Sequence, residues 1–203
     1  MKQILVVASG LVHPNYFCHR AFRKLLSSIK GIRFEFISKL SELSRISLTS
    51  YEAIIFYFHK SKLEDTALEA VERYIFNGGS LLAVHSASAS FKQNKRYFNL
   101  LGGKFINHGK IEPFTIKQAS IPDSPFQFTD DFTVEDELYI HKYKEDVSIH
   151  YYSEVNQKKE PVVWTRELGK GKIAYCSLGH RASVFKIPQV QQIIEQSVKW
   201  LAR

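Results

Sequence analysis

The sequence predicts an α/β fold in which a doubly wound, mostly parallel sheet carries a small antiparallel excursion in its second half. In the first half of the chain, wholly apolar runs alternate with segments of helical periodicity, as in parallel strands joined by crossover helices. From about residue 104 to 155 the pattern changes to short runs in which apolar and polar residues alternate. The length of 203 residues suits one domain, and we expect residues 1–203 to form it.

Four strands and two helices are predicted in the first half of the chain. The strands are the runs ILVVAS (4–9), RFEFIS (33–38), AIIFYF (53–58) and LLAVH (81–85). The helices, 17–29 and 63–76, each place apolar residues three or four positions apart, on one face. Asn77, Gly78 and Gly79 then supply the left-handed backbone that ends the second helix. This order of elements predicts right-handed β-α-β crossovers.

The second half predicts a hairpin and a closing helix after the antiparallel excursion. PVVWT (161–165) and KIAYCSL (172–178) flank the turn Gly169-Lys170-Gly171, which is typical of a hairpin. Pro188 is placed to begin the closing helix, 189–202, whose apolar residues again share one face.

Composition and charge indicate which partners and which cellular compartment are expected for this protein. The formal charge is +8 at pH 7, but the basic residues are scattered in short groups and interrupted by acidic residues between 130 and 137. Because no basic stripe with interleaved aromatics appears, we expect no nucleic-acid partner. The two cysteines are far apart, the amino terminus lacks a signal-peptide pattern, and no apolar stretch reaches the ~20 residues that span a bilayer. We therefore expect a cytoplasmic protein without membrane contact.

Histidines follow several of the predicted strands, at the edge where doubly wound sheets bind ligands. They are His13 and His19 after the first strand, His59 and His85 after the next central strands, His108 after the segment 104–106, and His180 after 172–178. Each alone is also typical of a solvated loop. Together they predict a functional site, because imidazole accepts and donates hydrogen bonds, carries a proton near neutrality and binds metals.

His85 carries the strongest local pattern, in GSLLAVHSASAS. A strand-to-helix elbow projects one side chain above the sheet and needs small residues two positions to either side. Ala83 and Ala87 meet this requirement for His85. Ser88 also meets it, so a serine nucleophile is an alternative, and close packing of a helix on the sheet explains the small residues equally well.

Four stretches, taken together and in order, resemble the ThuA-like family, which is named for trehalose utilisation. They are GGSLLAVHSA (78–87), LLGGKFINH (100–108), FTDDFTVEDELY (128–139) and PVVWTRELGKGKIAYCSLGH (161–180). The resemblance implies a flavodoxin-like, class I glutamine amidotransferase-like fold, in which amidotransferases carry a nucleophilic cysteine at the elbow and an activating histidine after a later strand. Here the elbow residue is His85, so the resemblance implies that the protein is not a functional glutamine amidotransferase, and it places His180 where the activating histidine would lie.

The sequence departs from the family pattern at two positions beside histidines. Arg181 stands where an acidic residue is common, and Gly109 stands where proline is frequent. These differences bear on the substrate more than on the fold.

The predicted site is completed by residues of several types. His85, His180 and Glu137 form the predicted catalytic set, with Glu137 orienting a histidine or acting as a general base, although a strand-edge acid paired with a lysine fits its position equally well. The predicted substrate-binding residues are His13, His19, His108, Tyr139 and Arg166. Arg166 would clamp an anion or pair with Glu137. The cofactor is unknown; a divalent metal, if bound, would take His85, His108, Glu137 and His180 as ligands, though no ligand spacing along the chain indicates one.

Two functions of different classes are compatible with this pattern. The leading hypothesis, implied by the resemblance, is a carbohydrate-metabolism enzyme that acts on a small sugar-derived molecule such as a keto-sugar. Whether it would be a hydrolase, a lyase or an isomerase does not follow from these residues. The alternative is a non-catalytic module that binds a small molecule or a protein in the retained cleft. A homo-oligomer is compatible with either function.

Overall fold

A computed structural model describes residues 1–10 and 14–202. The strands are β1 (Lys2–Ser9), β2 (Ile32–Ile37), β3 (Ala53–Phe58), β4 (Ser80–Val84), β5 (Gly103–Gln118), β6 (Phe132–Tyr143), β7 (Ser148–Val155), β8 (Lys158–Leu168) and β9 (Gly171–Cys176). The helices are α1 (Tyr16–Ser28), α2 (Asp65–Phe76), α3 (Lys95–Leu101) and α4 (Pro188–Leu201). In the described residues, no helix is both long and apolar enough to cross a bilayer.

The prediction of a mostly parallel, doubly wound sheet is wrong. The nine strands form one mixed sheet in the order β2-β1-β3-β4-β9-β8-β7-β5-β6. Strands β2, β1, β3, β4 and β9 pair in parallel, whereas β9, β8, β7, β5 and β6 pair antiparallel. The antiparallel part is therefore not a small excursion. It was underestimated because β5 and β6 run for 16 and 12 residues, with register shifts that break their alternation into short runs.

Wholly apolar strands arise here because the parallel strands contact helices on both faces. Ile4 and Val6 of β1 pack in a cluster that includes residues of α1 and α4. The alternate residues, Leu5 and Val7, pack in a second cluster that includes residues of α2 and α3. Residues 4–7 of β1 and all of β3 are thus buried, which accounts for the apolar side chains at these positions of ILVVAS and AIIFYF.

The predicted hairpin is present and joins the two parts of the sheet. β8 pairs antiparallel with β9 across a turn in which Gly169 has a left-handed φ of 62°. Trp164 of β8 is fully buried, and its indole N–H donates to the carbonyl of Leu101 at 3.1 Å. β9 also pairs in parallel with β4, so the segments that follow these two strands, which carry His85 and His180, leave the sheet side by side.

Candidate active site

His85 begins a turn directly after β4 and has a strained backbone. Its φ is +48°, in the left-handed region that non-glycine residues seldom adopt, and its side chain is fully buried. Its Nδ1 lies 2.8 Å from the carbonyl oxygen of Ser177, so this nitrogen carries the hydrogen and donates. Its Nε2 then accepts from the hydroxyl of Tyr139, at 3.1 Å. These two contacts match a neutral imidazole with its lone pair on Nε2.

His180 and Glu137 form the closest ion pair of the site. His180 Nδ1 lies 3.1 Å from Glu137 Oε2, and the same oxygen lies 3.9 Å from His85 Nε2. The hydrogen bond that His180 donates to the Glu137 carboxylate raises the pKa of His180 above its ordinary value, although partial burial acts in the opposite direction. The two imidazole rings stand edge to face with centroids 5.7 Å apart. The fold thus brings together His85, Glu137 and His180, which are distant in the sequence.

His108 and Tyr139 border this group. Tyr139 is buried and its ring packs against that of His85, with centroids 4.4 Å apart. Burial raises the pKa of Tyr139 far above its ordinary value, so the hydroxyl stays protonated and able to donate. His108 Nδ1 lies 3.6 Å from Glu137 Oε1, but it makes a closer contact, 2.7 Å, with the carbonyl of Gly109. The side chain of His108 is 40% exposed, which places it at the rim.

Two of the other predicted binding residues lie away from this group, and one lies outside the described residues. His13 is the residue that is not described. His19 is half-buried on α1, where its ring packs edge-on against Tyr57, whose hydroxyl donates to the carbonyl of Gly179 at 2.7 Å. The structure does not bring Arg166 to Glu137. Its guanidinium instead donates to Asp146 and to the carbonyls of Asn99 and Leu100 near the end of α3, because β8 places this buried side chain beside that helix.

An open cavity of about 700 Å³ lies beside His180. It is lined by Asn15, Phe17, Ile111, Glu135, His180, Arg181, Ala182 and Ser183. Arg181, the residue that departs from the family pattern, is ion-paired with Glu135 across this opening. His180 lines the cavity, whereas His85 and Glu137 lie behind it. Of the three central residues, His180 is thus the one placed to meet a ligand from solvent.

The chain matches the sequence model of the ThuA family, described as trehalose utilisation, over residues 3–201. This protein belongs to the ThuA family. No curated protein matches the chain. The resemblance seen in the four short stretches is therefore confirmed along nearly the whole chain.

Solved structures share the fold of this ThuA-family protein. A ThuA-like protein from Bacteroides uniformis has a TM-score of 0.79 at 19% identity, covering 98% of this chain and 90% of that one. Another, from Parabacteroides merdae, has a TM-score of 0.85 at 14% identity, covering 100% and 90%. A β-galactosidase from Bacillus circulans has a TM-score of 0.67 at 14% identity, covering 98% of this chain and 31% of the galactosidase. At such identities the likeness concerns the fold.

Asp136 was missed from the sequence although it neighbours Glu137. It is fully buried, and its Oδ2 accepts from the backbone N–H groups of Gly179, at 2.8 Å, and His180, at 3.3 Å. It therefore holds the turn that presents His180. Burial raises the pKa of Asp136 to about 6, while these N–H groups act in the opposite direction. Nothing in the run EDELY distinguishes this acid from its neighbours, because its role comes from a turn more than forty residues away.

His141 was also missed, and here the sequence held a usable signal. Glu137, Tyr139 and His141 are two residues apart on β6, so their side chains share one face of the strand. His141 Nε2 lies 3.2 Å from the hydroxyl of Tyr175, which donates to the backbone carbonyl of His85 at 2.9 Å. Burial lowers the pKa of His141, so the ring is neutral near pH 7. This buried network supports the strained backbone of His85.

The residues of this ThuA-family site include a donor set suitable for a divalent metal. His85 Nε2, a Glu137 oxygen and a His180 ring nitrogen all lie within 4.8 Å of one another. Two imidazole nitrogens and one carboxylate are ligands of catalytic zinc. Because His85 Nδ1 is bonded to Ser177, Nε2 would be its ligating nitrogen, and a metal there would displace the hydrogen bond from the Tyr139 hydroxyl. His108 fits less well as the fourth predicted ligand, because its Nδ1 is directed to Gly109.

Replacing Asp136 tests its hold on the His180 turn. We expect Asp136→Ala to lower the free energy of unfolding at pH 7 by about 1–3 kcal/mol more than Asp136→Asn, since the asparagine oxygen still accepts from the two buried N–H groups. Urea denaturation of both variants measures this difference. Equal stability of the two variants would show that these hydrogen bonds do not hold the turn.

The pH dependence of stability gives a second readout of Asp136. Burial raises its pKa from 3.8 to about 6, so folding favours the protonated carboxyl, and a penalty develops as pH rises from about 4 and is complete above about 6. The stability of the wild type relative to Asp136→Asn should therefore fall over this interval. A constant difference between pH 4 and 7 would contradict the raised pKa.

Proposed function

We propose that this ThuA-family protein is an enzyme that acts on a sugar or keto-sugar, with His180 transferring a proton to or from the substrate. The observation that carries the proposal is the pair between His180 and Glu137, 3.1 Å apart, at the edge of an open cavity. A carboxylate that orients an imidazole and raises its pKa is a typical arrangement for general acid–base catalysis. The association of the family with trehalose utilisation directs the proposal to sugars.

Each residue of the site would have a separate role in the proposed proton transfer. Glu137 would hold the Nδ1 proton of His180, leaving Nε2 to exchange a proton with the substrate. Tyr139 would keep the neutral tautomer of His85 in place through its hydroxyl. Removal of a proton beside a carbonyl is a step common to elimination and isomerisation of a keto-sugar, and it needs one such base. A divalent metal held by His85, Glu137 and His180 would replace this pair: the metal would supply a Lewis acid that polarises the carbonyl, and His180 would then serve as a ligand instead of the base.

Cysteine-based chemistry has no support at this site. The elbow position is occupied by His85, and both cysteines are buried. Burial raises the pKa of Cys176 to about 12, which keeps its thiol protonated. Cys18 donates to the backbone carbonyl of His180 at 3.2 Å. Both thiols therefore fit a structural role.

One observation favours a non-catalytic binding module instead. His85 is fully buried and both of its ring nitrogens are engaged, so it does not reach a ligand in this arrangement. In that case the cavity beside His180 would bind a sugar or a protein segment without catalysing a reaction.

Exchange of carbon-bound hydrogen for deuterium separates the two functions. The protein, with and without added zinc, would be incubated in D₂O with a panel of disaccharides and their keto derivatives, and exchange and products followed by NMR. We expect turnover by the wild type and a loss of about 10²–10⁴-fold in His180→Gln, with an unchanged melting temperature. The control is Lys199→Gln, on an exposed part of α4, which should keep full activity. Saturable binding of a sugar without exchange or product would replace the enzyme by the binding module.

A further inference from the structure

A second and larger cavity, of about 1190 Å³, lies after β3 and β4. It is formed by two segments, residues 59–64 after β3 and residues 89–96 after β4. None of His85, Glu137 and His180 lines it. Its place at the carboxyl ends of two adjacent parallel strands is one at which open α/β sheets bind ligands.

The two segments are tied together by backbone contacts. The N–H of Phe91 donates to the carbonyl of Lys60 at 2.9 Å, and the N–H of Lys60 donates to Ser90 Oγ at 3.0 Å. Phe91 has a left-handed φ of 51°, and its buried ring packs against Phe58 and Tyr97 with centroids 5.8 and 4.8 Å away. Because a non-glycine residue holds this backbone only when its surroundings fix it, the cavity wall is preformed.

The charges around the cavity are strongly unbalanced. The basic lining residues are Lys60, Lys62, Lys92, Lys95 and Arg96, and the acidic one is Glu64. Arg96 is neutralised by Glu72, with Asp65 and Glu69 about 4 Å away. In the part of the chain that the structure describes, none of the four lysine ammonium groups has a carboxylate within 4 Å. A net positive charge therefore faces this cavity.

His59 lines the cavity, where the positive charge of Lys92 acts on it. Burial lowers the pKa of His59, and the nearby charge of Lys92 lowers it further. Lys92 thus lies close enough to the lining to act on a group there. An anion placed between them would offset this charge and raise the pKa of His59.

We propose that the cavity bounded by residues 59–64 and 89–96 binds a small phosphorylated molecule. Lysine ammonium groups are phosphate ligands that act as mobile point charges, and four lysines without a carboxylate within 4 Å line this cavity. Leu63, Ala89 and the aliphatic stems of the lysines provide an apolar wall for the rest of the ligand. The volume of about 1190 Å³ exceeds the roughly 300–1,000 Å³ of typical small-molecule sites, so it has room for a ring as well as a phosphate. This site is independent of the proposed sugar chemistry at His180.

Calorimetry with three probes tests the proposal and separates free phosphate from a phosphorylated sugar. We expect glucose 6-phosphate to bind saturably and more tightly than inorganic phosphate, and glucose not to bind at this cavity. In Lys60→Gln/Lys92→Gln the affinity for glucose 6-phosphate should fall by about 10-fold or more. In parallel, an NMR titration of the wild type should show that the ligand raises the pKa of His59.

The matched control removes the same charge elsewhere. Lys158→Gln/Lys170→Gln changes two exposed lysines that do not line the cavity, and it should keep wild-type affinity. The proposal is overturned if glucose 6-phosphate does not bind, if both double variants lose affinity equally, or if ligand binding leaves the pKa of His59 unchanged. Binding of glucose that weakens in Lys60→Gln/Lys92→Gln as much as the binding of its phosphate would also overturn it, whereas glucose binding that this double variant leaves unchanged belongs to the site beside His180.

Discussion

Glu137→Gln is expected to lower the pKa of His180 and to slow turnover by about 10²–10⁴-fold. The hydrogen bond that the Glu137 carboxylate accepts from His180 is the largest cause of the raised pKa of His180, and burial, which opposes it, remains in the variant. The glutamine keeps the size of the side chain but cannot stabilise the imidazolium by charge. The pKa of His180 is measured by NMR of its ring proton, and turnover by the deuterium-exchange assay.

The same pair predicts how stability depends on pH. The pKa of His180 is raised in the folded protein. The pair therefore contributes fully to the free energy of unfolding below pH 6.5, the ordinary pKa of histidine, and this contribution is lost as pH rises through the raised pKa. Glu137→Gln should reduce this loss. Glu154→Gln, on β7 and paired with Lys117, is the control and should leave the pKa of His180 unchanged. A wild-type pKa of His180 in Glu137→Gln would show that the carboxylate does not govern this imidazole.

Gly179→Ala is expected to lower the free energy of unfolding by about 2–4 kcal/mol, a fall in melting temperature of roughly 5–10 °C. Gly179 has a φ of +133°, which side-chain-bearing residues rarely adopt. A Cβ there would lie 2.8 Å from Phe185 Cζ and 3.5 Å from the Cβ of His85. The backbone would have to move, and the N–H groups that Asp136 accepts would move with it.

Gly109→Ala is the matched control for this substitution. Gly109 also adjoins a site histidine, but the nearest atom to an added Cβ is Glu112 Oε1 at 3.9 Å, and its backbone is not left-handed. Its stability should stay within about 0.5 kcal/mol of the wild type. Thermal unfolding followed by circular dichroism compares the two. If both variants melt within 1–2 °C of each other (~0.5 kcal/mol), the turn before His180 is not constrained as described.

The central part of the site could be predicted because short-range signals mark it. In the sequence, a buried apolar run is followed by a histidine at both His85 and His180. Parallel pairing of β4 with β9 brings the segments after these runs together. Among the acidic residues of the second half of the chain, Glu137 was the predicted catalytic carboxylate. Arg166 was placed in the site for its charge alone, and no local pattern indicated that carbonyls near the end of α3 would accept its hydrogen bonds.

The large antiparallel part of the sheet could not be predicted in the same way, and neither could the residues that hold the site histidines in place. Strand pairing in β5 to β8 depends on register over long strands with bulges, which local alternation does not reveal. The role of Asp136 depends on two backbone N–H groups 43 and 44 positions away, and that of Tyr175 on a backbone carbonyl 90 positions away. Such contacts leave no spacing pattern in the chain.

The acid and the imidazoles belong to separately anchored parts of the molecule. His85 and His180 leave the parallel strands, whereas Glu137 and Tyr139 arrive on the long β5–β6 hairpin, which joins the main sheet where Lys117 and Gln118 pair with β7. Asp136 of the same hairpin accepts from the backbone N–H groups of Gly179 and His180, so displacing the hairpin would break these hydrogen bonds together with the Glu137–His180 pair. The segment that carries the carboxylate and the turn that carries the imidazole are therefore coupled, and a change that loosens one should loosen the other.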